Sequence, residues 1–295
     1  MPIRVLICND DGPPNQEESP FIMPFVDHLE QQGWEVTVCI PDSQKSWIGK
    51  SMMIKDKIGI SYYHRESKEV SHHRRHASDF VLLSGTPATC VNIALHHLFK
   101  DQTFDLVLVG PNFGRNTASI YTLASGTIGG ALEATTCGKK SIALSFPFYS
   151  RDFSPAAIQN ACVMAAKVIE QLYTKDAWPL HGLFNINVPV VADVDCPVHI
   201  TRFHQANYGS LFKPLDQAPP EDGSIEAQVR LDAETTGALF RFAPDIKAMS
   251  NPNDALPGSD AWAIQQKCIS VTPMVASYAM ASLDNDYGVG TLNKL

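Results

Sequence analysis

The chain has no apolar run long enough to cross a membrane. Met1 is followed at once by a strand-like run and a polar turn, which is not the pattern of a secretory leader. It also lacks a basic excess: the formal net charge is −8. That argues against bulk binding to a nucleic-acid duplex or an anionic membrane, both of which favour a basic face. An anionic small substrate stays open, because a bound metal reverses the local field. The seven cysteines are odd in number and include no CxxC. They read as buried free thiols in a reducing compartment, hence a cytoplasmic or nuclear protein. No GxGxxG follows the first apolar run, which argues against a dinucleotide dehydrogenase. Internal repeats and low-complexity tracts are absent as well.

What is present is the composition of a globular protein with a sizeable core: 295 residues, 44% hydrophobic and 18% charged. Ile3 to Ile7 reads as a buried strand, Ser19-Pro20 as the start of a helix that Gly33 stops, and Glu35 to Ile40 as a second strand. This βαβ unit predicts two neighbouring parallel strands. Further strands are expected at Phe80 to Leu83, Asp105 to Val109, Ser141 to Phe146 and Leu183 to Val188. Helices should fall between them, after Pro87, from Ile128 to Thr136 and from Ser154 to about Tyr173. The alternation predicts an α/β fold with a doubly wound, mostly parallel, Rossmann-like sheet.

At the end of the first strand stands Asn9-Asp10-Asp11-Gly12. Open α/β sheets hold their ligands outside the carboxyl ends of their strands. Two adjacent carboxylates there are costly to keep ionised unless something positive compensates them. A divalent cation is the simplest candidate, and oxygen ligands suit Mg²⁺, Mn²⁺ or Ca²⁺. Three more polar segments should open on the same edge. The loop from Pro41 to Gly49 offers the hydroxyl of Ser46. The loop from Gly110 to Asn116 offers Asn112 and Asn116, whose carbonyls suit a hard cation and whose amides suit phosphate. Ser125-Gly126-Thr127 opens a helix, where free N–H groups and the positive end of the dipole favour an anion. Each segment is also an ordinary turn or cap when taken alone.

The stretch from 52 to 82 reads as an irregular or hairpin excursion, and its His64-Arg65 and His72 to His76 patch as a solvated loop. Beyond 190 the pattern changes. Val198 to Phe203, Ala227 to Leu231, Ala238 to Phe242 and Cys268 to Val271 suggest short strands in a region rich in Pro, Gly, Asp and Glu. The expected division is therefore a core carrying the metal site over 1–190 and a β-rich extension, used for oligomerisation, over 191–295.

Taken in order, these blocks resemble the survival protein SurE family of metal-dependent nucleotide phosphatases. The resemblance rests on Asn9-Asp10-Asp11-Gly12, Pro41-Asp42 with Ser46, Gly85-Thr86-Pro87, Gly110-Pro111-Asn112 with Gly114 and Asn116, and Ser125-Gly126-Thr127. It continues through Asn185-Asn187-Pro189, Asp260 and Ile269-Ser270-Val271-Thr272-Pro273. It implies hydrolysis of nucleoside 5′- or 3′-monophosphates with one Mg²⁺ or Mn²⁺ per subunit, in a homodimer or homotetramer. Carried over by position, Asp10, Asp11, Ser46 and Asn112 are the metal ligands. Asn9, Asn116, Ser125, Gly126 and Thr127 hold the phosphate, and Asp10 or Asp11 orients or deprotonates a water, or attacks phosphorus directly. A broad acid phosphatase or exopolyphosphatase using the same site, or a non-catalytic nucleotide sensor, are the alternatives. The chain departs from the family pattern at Pro13-Pro14-Asn15, Trp47, Pro111, Phe113 and Arg115, which bears on base preference and pocket access. These departures suit a eukaryotic, fungal branch.

Overall fold

A computed structural model describes residues 2–150, 153–176, 178–191, 196–214, 239–245 and 255–278. The first strand, β1 (Arg4–Cys8), shows why the sheet needs two helical layers. Val5 and Ile7 enter one hydrophobic cluster, while Leu6 and Cys8 enter another. Successive strand side chains point to opposite faces, so a strand apolar at every position after Arg4 must be covered on both. On one face lie α1 (Ile22–Gln31) and α5 (Pro155–Lys175), which pack together. The other face carries α2 (Pro87–Ile93) and α4 (Gly126–Thr136), which also pack together.

The remaining strands of the layer are β2 (Glu35–Pro41), β3 (Ile60–Tyr63), β4 (Val70–Ser71), β5 (Phe80–Leu83), β6 (Leu106–Asn112), β7 (Ser141–Ser145), β8 (Gly182–Asn187), β9 (Val198–Ile200) and β12 (Ile269–Val275). Among the described residues their order is β4-β3-β5-β2-β1-β6-β7-β8-β12-β9. From β5 to β8 every pairing is parallel. The doubly wound α/β expectation is thus met. A separate antiparallel ribbon joins β10 (Phe212–Pro214) to β11 (Phe240–Phe242).

Several local readings change. The sheet continues past residue 190, because β12 pairs antiparallel with β8 and β9 pairs parallel with β12. Among the described residues, the region expected as an arm contributes strands both to the core layer and to the β10–β11 ribbon. Ala261 to Ile264, assigned no element from sequence, is helical, in α6 (Asp260–Gln265), with Ser259 capping the Trp262 N–H. Ser19 does not cap α1; its hydroxyl instead donates to the Gly12 carbonyl. A short helix unforeseen in the sequence, α3 (Ala118–Leu123), precedes α4. The strand β6 runs on through a cis Gly110–Pro111 peptide to Asn112, where a turn was expected. The 60–71 segment is a hairpin on the sheet edge, but the His64-Arg65 part of the basic patch is not a solvated loop. His64 is buried, and Arg65 reaches across to Asp27 and Glu30 of α1 at 2.7 Å. The basic residues from His72 to His76 are exposed, as expected. Ala227 to Leu231 lies outside the described residues. All seven cysteines are free and six are buried. No helix among the described residues is long and apolar enough to cross a membrane.

Candidate active site

The carboxyl ends of β1, β2 and β6 converge beside the amino end of α4. β1 stands between β2 and β6, where the chain's winding reverses, the place at which such sheets form a crevice. The loop after β1 is held by Asn9. Its amide donates to the Gly12 carbonyl at 2.9 Å, and its carbonyl accepts from the Gly12 N–H at 3.1 Å. Gly12 has φ +81°, and a Cβ there would sit 2.9 Å from the backbone of Ser43. Glycine is needed both for that angle and for the approach of the next loop. The Lys45 N–H then donates to the Asp10 carbonyl at 2.7 Å, bringing Ser46 to the same edge.

Asp10 and Asp11 are each only 3% exposed. Asp10 Oδ1 accepts from the Thr127 hydroxyl at 2.6 Å, and the N–H groups of Gly126 and Thr127 also favour its charged form. Gly126 makes this contact possible, since a Cβ would lie 2.8 Å from Asp10 Cβ. Asp11 Oδ2 accepts from the Phe113 N–H at 2.6 Å. Even so, burial raises the pKa of Asp10 above its ordinary value. It raises that of Asp11 well above, with the Asp10 charge adding to the effect. None of the ion pairs among the described residues involves either carboxylate.

A pocket of about 530 Å³ opens over this point. Asp10, Ser46, Asn112, Asn116 and Ser125 line it, so five of the expected residues come together. The other four sit differently. Asn9 is fully buried and spends its amide on its own loop. Asp11 is anchored to Phe113, while Gly126 and Thr127 turn toward Asp10. Ser125 caps α4 by accepting from the Ile128 N–H at 3.1 Å, and so faces the pocket at a helix N-terminus. The oxygen-rich donor set (two carboxylates, an amide and a hydroxyl) and the missing cationic partner fit a hard divalent cation.

The sequence profile described as Survival protein SurE matches residues 5–210, more than half of the chain. The chain belongs to the SurE family. A 5′-nucleotidase SurE from Methylobacterium radiotolerans is 30% identical over 273 residues, which is 92% of this chain and 92% of that protein. A yeast protein, described as probable tubulin–tyrosine ligase PBY1, is 31% identical over 317 residues. The match takes in 94% of this chain but spans only 41% of the yeast protein. The yeast relative fits the eukaryotic branch expected from the departures. The crystal structure of the SurE protein from Aquifex aeolicus aligns with a TM-score of 0.67 at 23% identity over 94% of each chain, a likeness of fold.

In this SurE-family chain three braces of the site were not assigned roles from sequence. Asn185 donates to the Asn116 carbonyl at 2.7 Å, and the Asn116 N–H donates to Asn187 at 2.9 Å. Buried Asp260 accepts from the N–H groups of Ala118 at 3.1 Å and His204 at 3.0 Å. It therefore ties the segment between Asn116 and Ser125 to the C-terminal part of the chain. All three residues stood in the family blocks, which signalled their importance without saying what they touch. The departures Trp47, Phe113 and Arg115 all line the pocket.

Proposed function

We propose that this protein is a divalent-metal-dependent phosphomonoester hydrolase acting on nucleoside 5′- or 3′-monophosphates, releasing nucleoside and phosphate. One observation carries the reading: two adjacent buried carboxylates without a cationic partner, of which Asp10 lines a pocket with Ser46, Asn112 and a helix N-terminus. The names of SurE relatives that cover most of their own length support it. The yeast relative's name belongs to a protein more than twice the length matched here, and no feature of this pocket favours that reading.

Asp10, Asp11, Ser46 and Asn112 would hold Mg²⁺ or Mn²⁺, one per subunit. When bound, such an ion polarises a phosphate oxygen and makes water a nucleophile near neutral pH. The chain's own residues do the rest. Ser125 and Asn116 bind the phosphate, with the positive end of α4 beneath it. Gly126 and Thr127 hold Asp10 in place, and Asn9 holds the loop that carries both carboxylates. Asp10, fixed by Thr127, orients the attacking water and takes its proton. Dimer or tetramer assembly through the C-terminal arm belongs to the same reading, and light scattering tests it.

The direct test is phosphate release from nucleoside monophosphates, para-nitrophenyl phosphate and polyphosphate, with Mg²⁺, with Mn²⁺ and with EDTA. EDTA-sensitive release that favours nucleotides supports the proposal. Equal release from all substrates replaces it with a general phosphatase. Nucleotide binding without release replaces it with a sensor.

A further inference from the structure

Beside its polar groups the pocket is walled by aromatic rings, and these are not equivalent. Phe113 and Phe148 stack on each other, with centroids 4.7 Å apart and planes 22° from parallel. Phe113 also meets core Phe21 at 5.4 Å. These two rings are structural packing. Trp47 is held otherwise. Its ring lies 6.0 Å from Tyr121 at 57°, and 4.9 Å from Phe242 of the ribbon at 64°. Neither contact is a parallel stack, so neither lays a second ring flat on the indole. The Arg115 guanidinium sits 4.6 Å over Tyr121 in the same wall.

The backbone of Trp47 has φ +62°. That region is disfavoured for a bulky side chain. Residues held this way recur at ligand-binding sites. Hydrolysis of a phosphate ester as such needs no indole beside the phosphate site, and a small sugar phosphate gains little from one. A planar nucleobase gains a great deal, because base-on-aromatic stacking is among the larger single contributions to nucleotide binding. The pocket volume is ample for a nucleoside monophosphate.

We propose that Trp47 is the specificity-determining residue of this pocket: it stacks on the nucleobase, with Tyr121 and Arg115 closing the same wall, and it favours purine over pyrimidine monophosphates through the larger ring overlap. This rests on the hydrolase reading above. Phe242 acts through Trp47, as a positioning residue that props the indole from the ribbon.

The test compares kcat/KM for guanosine monophosphate, uridine monophosphate and ribose 5-phosphate in the wild type, Trp47→Ala and Trp47→Phe. In Trp47→Ala the ratio of guanosine monophosphate to ribose 5-phosphate should fall about tenfold, mostly through KM. The uridine ratio should fall less, and Trp47→Phe should keep most of the preference. In parallel, tryptophan fluorescence is titrated with guanosine monophosphate and Mg²⁺. Quenching should occur in the wild type, vanish in Trp47→Phe and be absent with ribose 5-phosphate. Nucleotide hydrolysis with an unchanged ratio in Trp47→Ala would overturn the base subsite and leave the hydrolase standing. Quenching that depends on Trp47, without phosphate release, would keep the subsite and overturn the hydrolase. Neither quenching nor release would overturn both.

Discussion

Asp79 and the pair Asp10–Asp11 are equally hidden, at 4% and 3% exposed, yet their surroundings push them in opposite directions. Asp79 Oδ2 accepts from the N–H groups of Arg75 and His76 at 2.8 Å and meets His64 Nδ1 at 2.9 Å. His64 in turn meets the Ser71 hydroxyl at 2.8 Å. Burial alone would raise the Asp79 pKa, but these partners outweigh it and hold the group below its ordinary value. Asp10 and Asp11 also have partners, fewer for their combined charge, and burial wins. The chain thus completes one buried acid with its own donors and leaves the other short. The first is a clasp that fixes the edge hairpin. The second is, on the reading proposed above, the place that a divalent cation would complete.

The largest effects should come from the incomplete site. Asp10→Asn and Asp11→Asn should each lower phosphate release by more than about a hundredfold, the scale on which even outer partners of a metal act. In EDTA the same Asp11→Asn protein should be more stable than the wild type. The substitution removes a buried like-charge repulsion, and a gain of about 1 kcal/mol would appear as roughly 2–4 °C in Tm. A loss of stability there would erase the contrast with Asp79. Gly126→Ala should come next. Its methyl would press on Asp10, and a displacement of about 1 Å in a catalytic group costs on the order of a hundredfold in rate; initial rates at saturating substrate measure it.

At the completed site the effect should be on folding. Asp79→Ala strands His64 and two N–H groups and should cost about 1–3 kcal/mol in urea unfolding, with turnover per folded molecule retained. The smallest effect concerns acid. Because the folded protein holds the Asp79 proton less tightly than the unfolded chain, this group's stabilisation is complete above the ordinary value of 3.8 and is lost as pH falls below it. Asp79→Asn should therefore flatten the acid limb of the Tm–pH curve. An unchanged limb would mean that the N–H groups of His76 and Arg75, with His64, do not hold the Asp79 carboxylate in its charged form.

Much of this was legible in the sequence because it is written locally. A β1 that is apolar from Val5 to Cys8, a Gly at φ +82° after α1 and a Ser cap before Pro155 are signals within a few residues of what they determine. Three of the four segments that build the site are legible for the same reason: those after β1, β2 and β6 each follow a strand that the apolar pattern reveals. What escaped depends on distant partners. The helix α3 has no side-chain cap at Thr117 and is too short to establish a period. Its start is fixed instead by Asp260, 142 residues away. The helix α6, six residues long, is likewise too short to establish a period. His64 belonged by sequence to a basic loop, and only the fold brings Asp79 and Ser71 to its two ring nitrogens.

The measurement that bears most directly on the contrast is calorimetric titration of Mn²⁺ into the metal-free protein without substrate, for the wild type, Asp11→Asn and Asp79→Asn. One Mn²⁺ should bind per chain in the wild type and in Asp79→Asn, and binding should be lost in Asp11→Asn. Equal binding by all three proteins, or none by the wild type, would contradict the claim that Asp10 and Asp11 are an acid pair left for a cation to complete.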